Sequence, residues 1–246
     1  MPGIILLVAG NTNCRLALAK GSLVLAVRTL STGRALADPA GLLAGIEARD
    51  AALASVVPGA TRPLARGLSR LTNRAPLVIS TRTLTSLRIR YERSTLGADR
   101  LCVAEGARAH WPGDLAVADF GTAVTLNFVS AAGVFEGGPI MPGPDLMLTA
   151  LGRGTARLPV AGLRSPSGLF PRTTRSALSA GALAAVAGGV THAVEQVCRR
   201  TGRNWRLVGT GGRAPLMSRH LPQLTAIDPL LACRGLHQLY LRNRGG

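Results

Sequence analysis

Lysine is almost missing from this chain of 246 residues: Lys20 is the only one, so nearly all of the 29 basic residues are arginine. Aromatic residues are scarce too, at 3%. Proteins that hold single strands stack bases on aromatic platforms as well as neutralising phosphates. The net charge of +17 therefore does not by itself make a nucleic-acid binder, and nucleic acid is not expected as a partner. The arginines form no single block either. They gather as Arg62, Arg66 and Arg70 at helical spacing, between Arg82 and Arg93, and as Arg199, Arg200, Arg203 and Arg206. A solvated basic surface is the expectation, with anionic small molecules as the ligands it favours.

Cysteine is equally thin. Cys14, Cys102, Cys198 and Cys233 lie far apart with no CxxC pair, which argues against a zinc site and for reduced, mostly buried thiols in a cytoplasm. No apolar run reaches bilayer length, and no basic stretch precedes the first apolar run, as a secretory signal would need. A cytoplasmic protein without a membrane partner is expected. At 47% hydrophobic and 17% charged residues the chain can bury a proper core, and its length fits one large domain or two small ones.

The apolar run IILLV (Ile4 to Val8) reads as a buried strand. CRLALAK and LVLAVRTL flank Gly21-Ser22 as a hairpin. Pro39 to Arg49 is expected to be helical with Asp38 as N-cap. ASVVP reads as a strand, Arg62 to Asn73 as a helix, PLVIS as a strand and Ala98 to His110 as a helix. The opening pattern then returns. DLAVADFGTAVTLNFV has a strand, a glycine turn and a second strand, and Gly121 overlays Gly10. This structural repeat implies two similar α/β halves, residues 1–113 and 114–246, with a cleft between them. A long helix around Thr174 to Arg200, the strand WRLVGTGG, the short strand LTAID and a helix from Pro229 to Arg242 complete the second half.

A strand–glycine–strand turn brings backbone N–H groups close to a ligand and can cradle phosphate oxygens. GNT alone is an ordinary tight turn; GNT in register with DFGTA is a stronger signal. The GTGG of Gly209 to Gly212 ends a strand and could pass a nucleoside. Gly97-Ala98-Asp99-Arg100 precedes a helix. There the acid can be a general base and the arginine can meet an anionic substrate, or Asp99 can merely cap the helix beside a solvated Arg100.

Taken together, GNTNCR, ASVVP, YERSTLGADR, DFGTAVTLNFV, GGPIMPG, PRTTRSALSAG and GTGG resemble, in order and along the whole chain, the motifs of type III pantothenate kinases (the Bvg accessory factor-like family). These belong to the actin-like and sugar-kinase ATPase superfamily. The resemblance implies an α/β fold of two tandem actin-like (ribonuclease H-like) halves with a nucleotide cleft between them. It implies transfer of the γ-phosphate of ATP to pantothenate by a cytoplasmic homodimer that uses Mg2+ and a monovalent cation, K+ or NH4+. On this chain it makes Asp99 the proton acceptor and places Tyr91, Gly97, Ala98, Arg100 and Thr174 on pantothenate. Val8, Ala9, Gly10, Asn11, Thr12, Asn13, Cys14, Arg15 and Thr122 would hold ATP phosphates, Gly211 and Gly212 the adenosine side, and Asp119 the monovalent cation.

The chain departs from the family at three positions. Ser94 stands where proline is common, Asn127 replaces an acid, and Val8 replaces the acid that helps organise metal at the phosphates. Three readings follow from Val8: a kinase whose magnesium relies on other ligands, a catalytically impaired binding or regulatory protein, or a kinase for another small alcohol. The small-residue stripe Leu178, Ala182, Ala185, Val186, Gly189 and Val190 is core packing or a helix–helix contact that would suit a dimer.

Overall fold

Strand β1 (Gly3–Ala9) is hydrophobic throughout because both of its faces are covered. The structure, a computed structural model, describes residues 3–165 and 170–244. After β1 come β2 (Asn13–Lys20), β3 (Leu23–Ser31), α1 (Thr32–Ala37), α2 (Pro39–Leu43), β4 (Ala48–Ser55), α3 (Pro58–Thr72), β5 (Leu77–Val78), β6 (Arg88–Ile89) and α4 (Ala98–His110). Then follow β7 (Leu115–Phe120), β8 (Ala123–Val129), β9 (Val134–Gly137), β10 (Ile140–Pro142), α5 (Pro144–Gly154), α6 (Thr174–Thr201), β11 (Arg206–Thr210), α7 (Ala214–Met217), β12 (Ala226–Ile227) and α8 (Leu231–Arg244).

Two compact units result. The first comprises Met1–Pro112, Val129–Glu136 and Leu230–Gly246, the second Gly113–Phe128 and Gly137–Pro229. The sequence-based division at 113/114 differs in two segments, since 129–136 and 230–246 pack with the first unit. The cause for the latter is a tight helix pair. A Cβ placed on Gly235 of α8 would lie 1.7 Å from the Cys102 carbonyl of α4, and one on Gly106 would lie 2.4 Å from the Leu231 carbonyl. Only glycine permits that approach.

The first unit is built on a sheet of order β3-β2-β1-β4-β5. Alternate residues of β1 face opposite sides. Ile5 and Leu7 join Leu42, Leu64 and Leu68 in one core, and α8 packs against β1, β2 and β4. Helix α3 buries Ala60, Leu64, Leu68 and Thr72, one residue per turn, while Arg62, Arg66 and Arg70 are exposed, so this arginine group is a solvated face. The helix expected over Pro39 to Arg49 stops at Leu43. Asp38 caps it as expected, accepting the Gly41 N–H at 2.8 Å. Gly45, at φ 73°, then turns the chain, and Arg49 already belongs to β4.

In the second unit β7 lies beside β11 and β8, β12 runs parallel to β11, and β10 pairs antiparallel with β8. Helix α6 starts at a capping box between Thr173 and Ser176 and ends at Gly202 with φ 65°. It is long and apolar enough to cross a membrane by composition, which the sequence reading did not anticipate. Its Leu183, Val186 and Val190 are instead fully buried in the core with Phe120, Leu126 and Trp205.

Candidate active site

The first glycine turn closes when the Gly10 N–H donates to the Asn13 carbonyl at 2.9 Å. Thr32, 4% exposed, braces it from two directions. Its hydroxyl donates to the Gly10 carbonyl at 2.6 Å and its N–H donates to the Thr12 carbonyl at 2.8 Å. Two carbonyls that would repel a phosphate are thereby engaged inside the protein. Sequence reasoning missed Thr32, because nothing local links it to a turn 22 residues earlier. Ala9 and Cys14 point their side chains into the core, so residues 8–15 can offer a ligand their backbone and the side chains of Asn11, Thr12, Asn13 and Arg15. Val8 is half-buried, between Arg15 of β2 and Ala54 of β4.

The second turn repeats the plan. The Gly121 N–H donates to the Ala123 carbonyl at 3.1 Å. Asp119, half-buried, holds the place in β7 that Val8 holds in β1, beside Thr210 of β11. Gly211, at φ 92°, lies so close that a Cβ there would meet Asp119 Oδ1 at 2.4 Å and the Phe120 carbonyl at 2.6 Å. Gly143 donates its N–H to the Thr122 carbonyl at 2.9 Å. Gly212, Thr122 and Thr174, the first residue of α6, are exposed. Asp145 receives two hydrogen bonds from Arg213, at 2.7 and 2.9 Å. Glu136 likewise pairs with Arg90, at 3.4 Å.

The donor atoms decide what cation chemistry these turns can support. Asp119 supplies a carboxylate at the second turn, and Val8 supplies only hydrocarbon at the first. Among the described residues no group of three His, Cys, Asp or Glu side chains could enclose a metal.

The GADR segment opens a pocket in the first unit. Its volume is about 290 Å³, and it is lined by Ser55, Val56, Ile79, Ser80, Thr83, Ile89, Arg93, Gly97, Ala98 and Leu101 among others. That is near the lower end of the roughly 300–1,000 Å³ usual for small-ligand sites. Val56 donates its N–H to the Ala9 carbonyl at 3.1 Å, so the pocket wall and the first turn lie at the same end of the parallel neighbours β4 and β1.

Gly97 is the N-cap of α4, with no side-chain cap, so Asp99 is not the helix cap. Asp99 folds back instead: a Cβ on Gly97 would sit 2.5 Å from its Oδ1, which also accepts the Arg100 N–H at 2.7 Å. Burial raises the Asp99 pKa and outweighs the lowering by that hydrogen bond and by the Arg100 charge. A carboxylate shifted upward is a stronger base once ionised.

Arg100 is 5% exposed, which overturns its reading as a solvated residue. Its guanidinium lies 5.1 Å from the Tyr91 ring centre and 5.7 Å from that of Phe135, in cation–π range. Burial pulls its pKa down, and the attractions of Tyr91 and Asp99 oppose this.

The structure thus gathers Tyr91, Gly97, Ala98, Asp99, Arg100 and the 8–15 turn in the first unit. Asp119, Thr122, Thr174, Gly211 and Gly212 belong to the second. Asn127 is fully buried and its amide donates to the Val117 carbonyl and to Thr125 Oγ1; it serves the sheet. All four cysteines are free thiols, and burial pushes Cys14 and Cys102 upward, toward the unreactive form.

A sequence profile of type III pantothenate kinases matches residues 4–196. The chain is 34% identical over 239 residues to the type III pantothenate kinase of Porphyromonas gingivalis, covering 94% of both chains. It is 36% identical over 203 residues to that of Caulobacter vibrioides, covering 81% of this chain and 78% of the relative. Among solved structures, a Baf-family protein from Campylobacter jejuni superposes with TM-score 0.64 at 20% identity, over 98% of this chain and 100% of that one. A ROK-family glucokinase from Streptomyces griseus does so with TM-score 0.55 at 10% identity, over 99% and 100%. These structural likenesses establish the fold, that of the actin-like ATPases and sugar kinases. Profile and relatives together establish more: this chain belongs to the type III pantothenate kinase family.

Proposed function

We propose that the protein transfers the γ-phosphate of ATP to the primary hydroxyl of pantothenate, giving 4'-phosphopantothenate, the first step toward coenzyme A. The observation that carries this reading is Asp99, a carboxylate with a raised pKa beside the 290 Å³ pocket of the first unit. Asp99 takes the hydroxyl proton as the oxygen attacks the γ-phosphorus. The new O–P bond forms while the bond to the β–γ bridging oxygen breaks, and ADP leaves. Such transfer rests on positioning and charge neutralisation more than on covalent chemistry.

Tyr91, Gly97, Ala98, Arg100 and Thr174 contact pantothenate. The 8–15 turn and Thr122 hold the phosphates, and Gly211 and Gly212 flank the adenosine. Asp119 would hold K+ or NH4+, and Mg2+ carried on the ATP phosphates at the 8–15 turn and Thr122 would supply charge neutralisation there. The enzyme works as a homodimer in the cytoplasm. The test is transfer from labelled ATP to pantothenate, with related alcohols alongside. Transfer confined to pantothenate is expected. Transfer only to another alcohol, or binding of ATP and pantothenate without transfer, would overturn the reading.

A further inference from the structure

Glu105 is a buried acid that the mechanism above does not use. It is 3% exposed and sits on α4 one turn beyond Leu101, which lines the pocket. Its Oε1 accepts the Thr85 hydroxyl and the Ser86 N–H, the latter at 2.5 Å. Its Oε2 accepts the Ser86 hydroxyl at 2.6 Å. Thr85 and Ser86 do not touch the pocket, but they lie in the middle of the segment that walls it. Ser80 and Thr83 precede them, and Ile89 and Arg93 follow.

The same segment is tied one residue earlier. Asn243 of α8 accepts the Leu84 N–H at 3.0 Å and donates to the Leu84 carbonyl at 2.9 Å. Beyond Ser86 the chain enters β6, which pairs with β9, and reaches Tyr91, whose ring meets Phe135 edge-on with centroids 6.0 Å apart. The segment has little regular structure of its own, so its shape is set by what grips it. Glu105 grips it from the helix whose first turn carries Asp99.

We infer that Glu105 is a positioning residue for the acceptor alcohol: it fixes the 80–93 wall against α4 and thereby sets the pocket in which pantothenate meets Asp99. This rests on the functional reading above. A carboxylate accepting three hydrogen bonds is a costly group to lose, because removal leaves the Ser86 N–H and two hydroxyls to find other partners.

The experiment compares steady-state kinetics of wild type, Glu105→Leu and Glu105→Gln with each substrate varied in turn. Glu105→Leu should raise the KM for pantothenate about tenfold or more, the loss expected of hydrogen bonds to a charged group, while the KM for ATP stays unchanged. Glu105→Gln should restore most of the pantothenate KM, because its amide can accept from Thr85 and Ser86 through oxygen and meet the Ser86 hydroxyl through nitrogen. Should Glu105→Leu not fold, Ser86→Ala and Thr85→Val, made on the loop side, should shift the pantothenate KM in the same direction by less. A purely structural role would lower thermal stability and leave both KM values alone, or move them together. Either result in the folded variants overturns the inference while the wild type still turns over. A wild type that never phosphorylates pantothenate overturns the functional reading, and this inference with it.

Discussion

The two glycine turns share a plan and differ in length, in the side chain two places before the glycine and in the brace, the first closing from Gly10 to Asn13 and the second from Gly121 to Ala123. Each strand ends with a half-buried residue, a buried one and a glycine, and each glycine N–H folds back across the turn. In the first turn the half-buried residue is Val8, and the brace is the Thr32 hydroxyl. In the second it is Asp119, and the brace is the Gly143 backbone, so close that a Cβ there would stand 2.4 Å from the Gly121 carbonyl. The difference separates two jobs. On the proposed function, either turn can offer backbone N–H groups to a phosphate, and the second adds the Asp119 carboxylate for a cation where the first has the hydrocarbon of Val8.

The largest expected effect isolates the chemistry from both turns. Asp99→Asn should lower kcat by about 10²–10⁴-fold, the usual worth of a general base, while calorimetry finds ATP binding unchanged. A loss of ATP binding would mean that the base and the turns are not separate. The pH profile carries the same information. As the proposed base Asp99 would act ionised, and burial raises its pKa. The acid limb of kcat/KM should therefore lie above the ordinary aspartate value of about 3.9 and vanish in the variant. Stability has the opposite sense. A raised folded pKa contributes stability that is present below the unfolded pKa and lost as pH rises through the folded one. Thermal melts should then show Asp99→Asn more stable than wild type near neutrality, with the gap closing in acid.

Asp119→Asn comes next. If cation handling resides in the second turn, this variant should lose at least about tenfold in activity, as metal-site changes commonly do, and should lose the stimulation by K+ or NH4+. Retained stimulation would erase the distinction between the turns. Thr32→Val removes the first turn's brace while keeping its shape. It should raise the KM for ATP several-fold, on the order of the ~1 kcal/mol of one hydrogen bond, with the pantothenate KM unchanged and Thr32→Ser close to wild type. The smallest effect is a gain. Val8→Asp should tighten magnesium-dependent ATP binding or raise turnover by a few-fold, about the worth of one extra charged hydrogen-bonding group near the phosphates, in a magnesium titration. No gain would show that the first turn needs no acid.

Much of this comparison can be read from the sequence, because glycine between two apolar runs has few structural meanings. The turns at Gly10 and Gly121, the helix over Ala98 to His110 and the long helix from Thr174 are legible for that reason and from apolar periodicity. The family is legible because its short motifs follow one another in order. What sequence leaves hidden are contacts that join distant segments. Glu105 is an acid in an alanine-rich helix until its loop partners 19 and 20 residues away are known. Arg100 looks solvated until Tyr91 and Phe135 surround it. The strand Arg88–Ile89 is two residues long, too short for any period to register. The membership of residues 230–246 depends on Gly106 and Gly235, which carry no signal of their own.

That glycine contact between α4 and α8 also orders events during synthesis. The helix that bears Asp99 emerges from the ribosome well before α8, the helix that packs along it. Until α8 arrives, one side of α4 and the faces of β1, β2 and β4 that α8 covers are left open, and such exposed apolar surface is what chaperones recognise and aggregates grow from. The first unit is thus completed only after the second unit has been translated. A chain cut short before α8 would leave α4, the helix that carries Asp99, without the helix that packs along it.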